Sequence, residues 1–356
     1  MHTTELAHRL AAAGHQAAIE SWSAQYPKRL YPGQLTVDEP EMPLFEPTRR
    51  TLSWRNPLGW LRHGRRIGAA SDVVVLQVHS TSVQTLPYLG IIRGARSAGA
   101  RIVLIVNNVL PHEARAIDKH LARALYRRAD LLLVHGADSA RLIGELSDRP
   151  VVTAALPPHL PRPAGASMVP GDADALHDSL LFFGLVRPYK GVDVLLRALA
   201  RADVTARLVV AGEVWGGADD LRALITELAL DERVTLREGY VDAAELPALL
   251  AGCDALVLPY RHATGSQNAQ LAFEYDRPVI VTRTGALADA VTDGVDGIVC
   301  APDDVAALAG ALERFYAPGE ALRLRGNVKR SDATPAWNSY LDSLLAGAAP
   351  EAARGW

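Results

Sequence analysis

From residue 180 onward the chain alternates short apolar runs with stretches of helical period, and that alternation leaves few folds open. The apolar runs fall at 180–186, 207–212, 234–237, 255–260, 278–282 and 297–300. Helical spacing occupies 191–201, 218–229, 243–251, 267–274, 285–291 and 303–315. Runs this short and this uninterrupted suit strands buried on both faces, as in a parallel sheet. Parallel neighbours need crossover helices, so the pattern predicts a doubly wound α/β domain.

The N-terminal half repeats the pattern less regularly. Residues 3–13 read as a helix, with Thr3 or Thr4 as its cap and Gly14 as its stop. Gln16–Ala24 reads as a strand. Residues 26–48 are rich in proline and turn residues and read as a surface loop. Further strands are expected at 72–80, 100–108, 130–136 and 150–158. The segment 157–178 is rich in Pro, Gly and Ala and reads as a linker; its Asp172 and Asp174 are taken as solvated charges. Residues 332–346 place Trp337, Tyr340, Leu341, Leu344 and Leu345 at helical spacing. The expected organisation is a Rossmann-like domain over 1–160, a linker over 161–178, a second Rossmann-like domain over 179–318, and a helical tail over 319–356 that packs back on the first.

Composition excludes several classes. The 356 residues are 22% charged with a formal net charge of −3, which gives no overall argument for nucleic-acid binding. Cys253 and Cys300 stand alone, without the spacing of a zinc site or a disulfide framework, and suit a reducing, cytoplasmic setting. No apolar run approaches the ~18 residues of a membrane span. The first residues lack the basic start and apolar core of a signal peptide. No glycine fingerprint of the G-x-G-x-x-G type follows a strand, which argues against a nicotinamide or flavin enzyme. Residues 49–66 carry six arginines and no acid, interleaved with Trp54, Leu58, Trp60 and Leu61. Asn56-Pro57 suits a helix start there. Arginine and tryptophan on one helix suit an anionic membrane surface; the alternative is a solvated helix with its tryptophans turned inward.

Chemistry concentrates at FFGLVRPYKGVDVLLRALA, 182–200. It reads strand, short loop, helix, and puts Arg187 and Lys190 where the carboxyl end of a strand meets a helix start. Open α/β sheets bind ligands at that place, and a helix N-terminus with cations beside it favours an anion such as phosphate.

These stretches together resemble the family-4 glycosyltransferases of GT-B fold. In the second half the resemblance is carried by FFGLVRPYKGVDVLL, LVVAGE (208–213), CDALVLPY (253–260) and RPVIVTRTGALADAVTDGVDGIV (277–299). In the first half it rests on SAQYPKRLYPG (23–33), WRNPLGWLR (54–62), VNNVLPHEARAIDKHLAR (106–123) and ADLLLVHG (129–136), which are similar to a bacterial subgroup. The resemblance implies an α/β, GT-B architecture of two Rossmann-like doubly wound domains facing across a cleft. It implies retaining, metal-independent transfer of a sugar from a nucleotide-diphosphate donor to a glycan or lipid-linked acceptor in envelope or exopolysaccharide synthesis. No cofactor is expected besides that co-substrate, and the place implied is the cytoplasmic membrane face, held through 49–66.

By the same resemblance Lys190 matches the family's phosphate lysine. Arg187 serves the diphosphate from a shifted position, Leu185 standing where the arginine is commoner. His79 matches the first-domain histidine near donor sugar and acceptor, so the catalytic set is His79, Lys190 and Arg187. Gly184, Glu213, Tyr240, Thr264, Gly265, Ser266, Gln267 and Asn268 are expected around the donor. Asn108, His112 and Glu113 are expected on the acceptor side, and Asp289, after Gly285, in place of a customary glutamate.

The chain departs from the pattern twice. Most members carry two glutamates seven residues apart; the matching positions are Ala263 and Leu271, and Glu274 is not an equivalent. Members of the subgroup also begin with a strand and a Gly-Gly turn before the first helix, so a start upstream of Met1 is expected. The lost glutamates keep a second reading open, a catalytically silent GT-B protein that binds a glycan or a partner enzyme.

Overall fold

The computed structural model describes residues 2–24, 44–79, 81–110, 116–158, 176–263, 267–330 and 332–348. They fall into two compact units. One holds residues 2–24, 44–158 and 333–348, the other the residues from 176 to 332.

In the N-terminal unit, α1 (His2–Ala12) leads into β1 (Ile19–Ala24) and β2 (Thr48–Ser53), which pair in parallel with each other. Then come α2 (Pro57–Ala69), β3 (Val73–Val78), α3 (Thr81–Ser97), β4 (Arg101–Val106), α4 (Ala116–Tyr126), β5 (Leu131–Val134), α5 (Ala137–Gly144) and β6 (Val151–Thr153). β3 to β6 form a parallel four-stranded sheet in sequence order. Successive side chains of a strand take opposite faces, and the core divides accordingly. Ile102, Leu104, Val106, Leu132 and Val134 pack under α3 and α4 with Ile91, Ile92 and Tyr126. Val103, Ile105, Leu131 and Leu133 pack on the other face with Leu6 and with Trp337, Tyr340, Leu341 and Leu344 of α13 (Thr334–Ala348).

The sequence reading of 49–66 puts the helix start at Asn56-Pro57, where the structure has it, but does not foresee the strand β2 before it. Arg49, Arg50 and Leu52 are extended, and the helix begins only at Pro57, capped by Asn56, whose side chain accepts from Gly59 N at 2.9 Å. Trp60 is turned inward. Trp60 Nε1 donates to Ser53 O at 2.8 Å and its ring packs on the core, because α2 is pressed against α3. The two helices meet backbone to backbone: a Cβ on Gly64 would lie 2.1 Å from Ile91 O, and one on Gly94 2.3 Å from Leu61 O. Leu58 and Leu61 are left outside, 81% and 40% exposed.

The C-terminal unit has a six-stranded sheet, with β7 (Ser179–Phe183), β8 (Arg207–Gly212), β9 (Val234–Glu238), β10 (Ala255–Leu258), β11 (Val279–Thr282) and β12 (Gly297–Cys300) in the order β12-β11-β10-β7-β8-β9. Its pairs are parallel. The helices are α6 (Val192–Arg201), α7 (Asp219–Glu227), α8 (Leu246–Ala251), α9 (Asn268–Glu274), α10 (Gly285–Asp289), α11 (Val305–Phe315) and α12 (Glu320–Asn327). α12 packs in this unit through Ala321 and Leu324, so only α13 of the expected 319–356 tail joins the N-terminal unit. Buried Asp254 anchors the start of β7, accepting from His177 N at 2.7 Å and Ser179 N at 3.0 Å. The order reverses between β10 and β7, so the loops leaving these two strands depart side by side at a switch point.

Gly64→Leu is expected to lower stability by about 1–3 kcal/mol through overpacking, while Gly144→Ala, with nothing within 4 Å of the added methyl, should stay within about 1 kcal/mol of the wild type. Urea unfolding of the two variants checks this, and equal midpoints would count against the close α2–α3 contact.

Candidate active site

The β7 strand stops at Phe183, earlier than its apolar run suggests, because the chain turns through Gly184, whose N–H donates to Ala211 O at 2.9 Å, and pairs again at Val186 with the residues just after β8. There Val186 N donates to Glu213 O at 2.8 Å and Trp215 N to Val186 O at 3.1 Å. This second contact holds the 187–190 loop beside the end of β8. Arg187 lies with its guanidinium carbon 4.4 Å above the centre of the Trp215 ring. Pro188–Lys190 forms one 3-10 turn, and Gly191 follows at φ +66°, where a Cβ would meet Pro259 O at 2.1 Å. Only glycine lets the loop lie this close to the end of β10.

Lys190 is thereby brought to Tyr260. Its ammonium donates to the Tyr260 hydroxyl at 2.7 Å and sits 4.2 Å from the centre of the Tyr260 ring. Tyr260 is 1% exposed, and its carbonyl accepts from Thr282 Oγ1 at 2.5 Å. Burial holds the Lys190 ammonium pKa below the ordinary lysine value, against an opposing pull from Tyr189. Arg261 then ties the two loops together. Its guanidinium donates to Pro188 O at 2.6 Å, to both Asp193 carboxylate oxygens at 2.8 Å and to Asp303 Oδ1 at 2.8 Å, and its backbone N–H donates to Tyr189 O at 2.8 Å. Partial burial alone would raise the Asp193 pKa, but the Arg261 hydrogen bonds and charge outweigh it and hold the carboxyl below its usual value.

The remaining donor-side residues take mixed positions. Asn268 opens α9 and donates to Phe183 O at 2.8 Å, so its amide fastens that helix to the end of β7 beside Gly184. Gln267 flanks the same helix start. Glu213 and Tyr240 follow β8 and β9 and are half-buried. Thr264, Gly265 and Ser266 lie outside the described residues. Leu271 is 3% exposed within the core, and Ala263 packs against the same core; neither position offers a carboxylate. Asp289 ends α10 and is exposed.

In the N-terminal unit His79 follows β3 directly. Asn108 Nδ2 donates to its carbonyl at 3.2 Å, and the Asn107 amide meets His79 Nδ1 at 2.8 Å. The imidazole keeps an open edge but is crowded elsewhere, and that loss of water lowers its pKa. His112 and Glu113 lie outside the described residues. Among the described residues no group of three or more His, Cys, Asp or Glu side chains is placed to hold a metal ion.

Sequence reasoning passed over Trp215, Tyr260, Arg261, Asn107 and His135. Tyr260 and Arg261 follow an apolar run directly, as Arg187 and Lys190 do, and that placement was the signal available. Trp215 carries no such signal, since its role depends on the return of Val186 to the sheet.

The comparisons with known proteins agree with this architecture. Residues 177–317 match the family model described as Glycosyl transferases group 1. The chain is 30% identical over 281 residues to D-inositol 3-phosphate glycosyltransferase 1 of Catenulispora acidiphila, covering 71% of this chain and 67% of that one. It is 31% identical over 224 residues to GDP-mannose:glycolipid 4-beta-D-mannosyltransferase of Xanthomonas campestris pv. campestris; that match covers 62% of this chain and spans 61% of the relative's length. Among solved structures, sucrose-phosphate synthase from Thermosynechococcus elongatus matches with a TM-score of 0.68 at 18% identity, covering 96% of this chain and 90% of that one. The Anabaena protein HepE in complex with UDP and glucose matches with a TM-score of 0.63 at 17% identity over 84% of each chain. The fold is GT-B, and the chain belongs to the group 1 glycosyltransferases, close to family 4.

Because the Asp193 pKa is depressed in the fold, its contribution to stability is present above the unfolded carboxylate value of about 4 and is lost as pH falls through the lower folded value. Asp193→Asn should therefore be less stable than the wild type near neutrality, on the order of 1 kcal/mol for a partly exposed pair, and the gap should close in acid. Thermal melts of both proteins across that range check it; a gap independent of pH would place the effect elsewhere than in the carboxylate.

Proposed function

We propose that this chain is a nucleotide-sugar-dependent hexosyltransferase. It moves a sugar from a nucleoside-diphosphate donor to the hydroxyl of a glycan or lipid-linked acceptor in envelope or exopolysaccharide synthesis, with retention and without a metal. The observation that carries the reading is the loop pair at the β7–β10 switch point, where Gly191, Arg261 and Tyr260 hold Lys190, with Arg187 alongside on Trp215. In such a transfer the bond from the sugar's anomeric carbon to the diphosphate oxygen breaks, and its electron pair stays on the phosphate. Fixed cations at that place lower the barrier, since they need no reorganisation as the charge appears. Lys190 and Arg187 are assigned that task, Asn268 and Gln267 the neighbouring donor wall, and His79 and Asn108 the sugar and acceptor side. The printed names of the relatives support the substrate class: one uses GDP-mannose and a glycolipid, and HepE was solved with UDP and glucose.

A second reading, a silent GT-B protein that binds a glycan or partner, is favoured by one observation: Leu271 and Ala263 put apolar side chains where most members hold the donor with glutamates. Titration calorimetry with GDP, UDP and ADP separates the two, because a silent relative without a donor site takes up none of them. Lys190→Ala should abolish diphosphate binding; unchanged affinity would remove this loop from the site. Since burial lowers the Lys190 pKa, wild-type affinity should also decline with rising pH earlier than for a solvated lysine, as the ammonium loses its proton.

The same proposal places the protein on the anionic inner face of the cell membrane. Among the described residues no helix is long and apolar enough to cross a membrane. On α2, however, exposed Leu58 and Leu61 stand with exposed Arg62 and Arg65, and Arg55 precedes them. Arg66 is engaged elsewhere, 2.8 Å from Glu20. Apolar side chains beside cations suit an anionic headgroup layer. Co-sedimentation with phosphatidylglycerol vesicles should fall at least about tenfold in the Leu58→Glu, Arg62→Glu, Arg65→Glu variant; full retention would reject α2 as the contact.

A further inference from the structure

The parallel register brings four strand ends into one row. Val78 pairs with Val106, Val106 with Val134, and Val134 with Thr153. The next residues, His79, Asn107, His135 and Ala154, are therefore neighbours in that order. The Asn107 carboxamide bridges the two histidines: Nδ2 lies 2.8 Å from His79 Nδ1 and 3.4 Å from its Nε2, Oδ1 lies 2.9 Å from His135 Nε2, and a half-turn of the amide about its Cβ–Cγ bond exchanges the two ends. His135 Nδ1 lies 3.2 Å from Ala154 O. Its ring stacks on Tyr340 of α13, centres 6.0 Å apart, and burial raises the phenol pKa, so this neighbour brings no charge.

The chain of partners fixes each proton. Ala154 O can only accept, so His135 Nδ1 carries the hydrogen. Burial lowers the His135 pKa, against the opposing effect of the Ala154 bond. A neutral ring then presents Nε2 as an acceptor, and the amide must turn its NH2 toward it. That turns the amide oxygen toward His79 Nδ1, which must donate. His79 is left with its acceptor lone pair on Nε2.

We propose that Asn107 and His135 are positioning residues that set His79 as the Nδ1–H tautomer and keep Nε2 as its accepting nitrogen. The inference rests on the reading of His79 as the group that meets the sugar or acceptor hydroxyl. The row also runs in reverse. When His135 takes a proton from solvent, both its nitrogens donate, the Asn107 amide turns over, and its NH2 faces His79 Nδ1. His79 then keeps one proton but carries it on Nε2, and presents a donor where it had an acceptor. Among the described residues the groups that face His135 are Asn107 from the end of β4, Ala154 O from the end of β6 and Tyr340 from α13, with His79 beyond the amide.

Long-range proton–nitrogen NMR of the 15N-histidine-labelled full chain, without substrate, reads the tautomer directly. At about pH 8, above the ordinary histidine range, wild-type His79 should be the Nδ1–H form. Asn107→Leu should move it predominantly to Nε2–H. Asn107→Asp, which can only accept, should keep Nδ1–H and guards against a folding defect in the first variant. A wild-type His79 with its proton on Nε2, or a tautomer indifferent to Asn107→Leu, overturns the proposal. In turnover, Asn107→Leu should lower kcat at least about tenfold with donor KM changed less than about threefold, and Asn107→Asp should recover most of it. A tautomer that shifts as expected while kcat holds would leave the row standing and remove His79 from catalysis, so the two failures stay distinct.

Discussion

Parallel strands in register end together, and the functional geometry of this chain depends on that constraint. A parallel ladder carries neighbouring carboxyl ends to the same level, so residues far apart in sequence become adjacent as soon as the sheet forms. In the N-terminal unit this puts His79, Asn107, His135 and Ala154 side by side although 75 positions separate the first from the last. In the C-terminal unit it puts the loops after β7 and β10 together, and with them Lys190 and Tyr260. The side chains at these places come with the fold; what sequence has to specify is which residue follows the last strand position.

The loops need more than adjacency, and here hydrogen bonds to charged groups take over. The 187–190 turn carries two cations three positions apart, an arrangement that self-repulsion would loosen. Trp215 holds one through its ring face and Tyr260 the other through its ring face and hydroxyl. The acids are spent one residue pair away, on Arg261, which meets Asp193 and Asp303. Aromatic support leaves the positive charge of Lys190 and Arg187 in place for an incoming anion.

Much of this was legible in the residues. The six strands of the C-terminal sheet lie within three residues of the apolar runs that announced them, because strands buried on both faces leave an uninterrupted signal. β2 was missed because TRRTLS is an exposed, arginine-bearing strand paired on one side, and it reads as basic surface. The inward turn of Trp60 stood only as one of two readings, since it follows from the glycine contacts between α2 and α3, which involve pairs about thirty positions apart. Arg187 and Lys190 could be singled out because they share the short loop after an apolar run, and His79 because it matches the family pattern. Tyr260 was equally well placed, but a tyrosine after a strand has many uses, and only the return of Gly191 against Pro259 gives it one.

The burial of Leu271 also limits what this position can hold. The residue is enclosed by the same core that fastens α9 beneath the β7 end. A carboxylate introduced there today would be stripped of water with no cation built to receive it, a cost of several kcal/mol. Placing the family's glutamate at this position by one substitution would therefore cost stability, and a carboxylate that meets the donor would have to come from elsewhere on the rim.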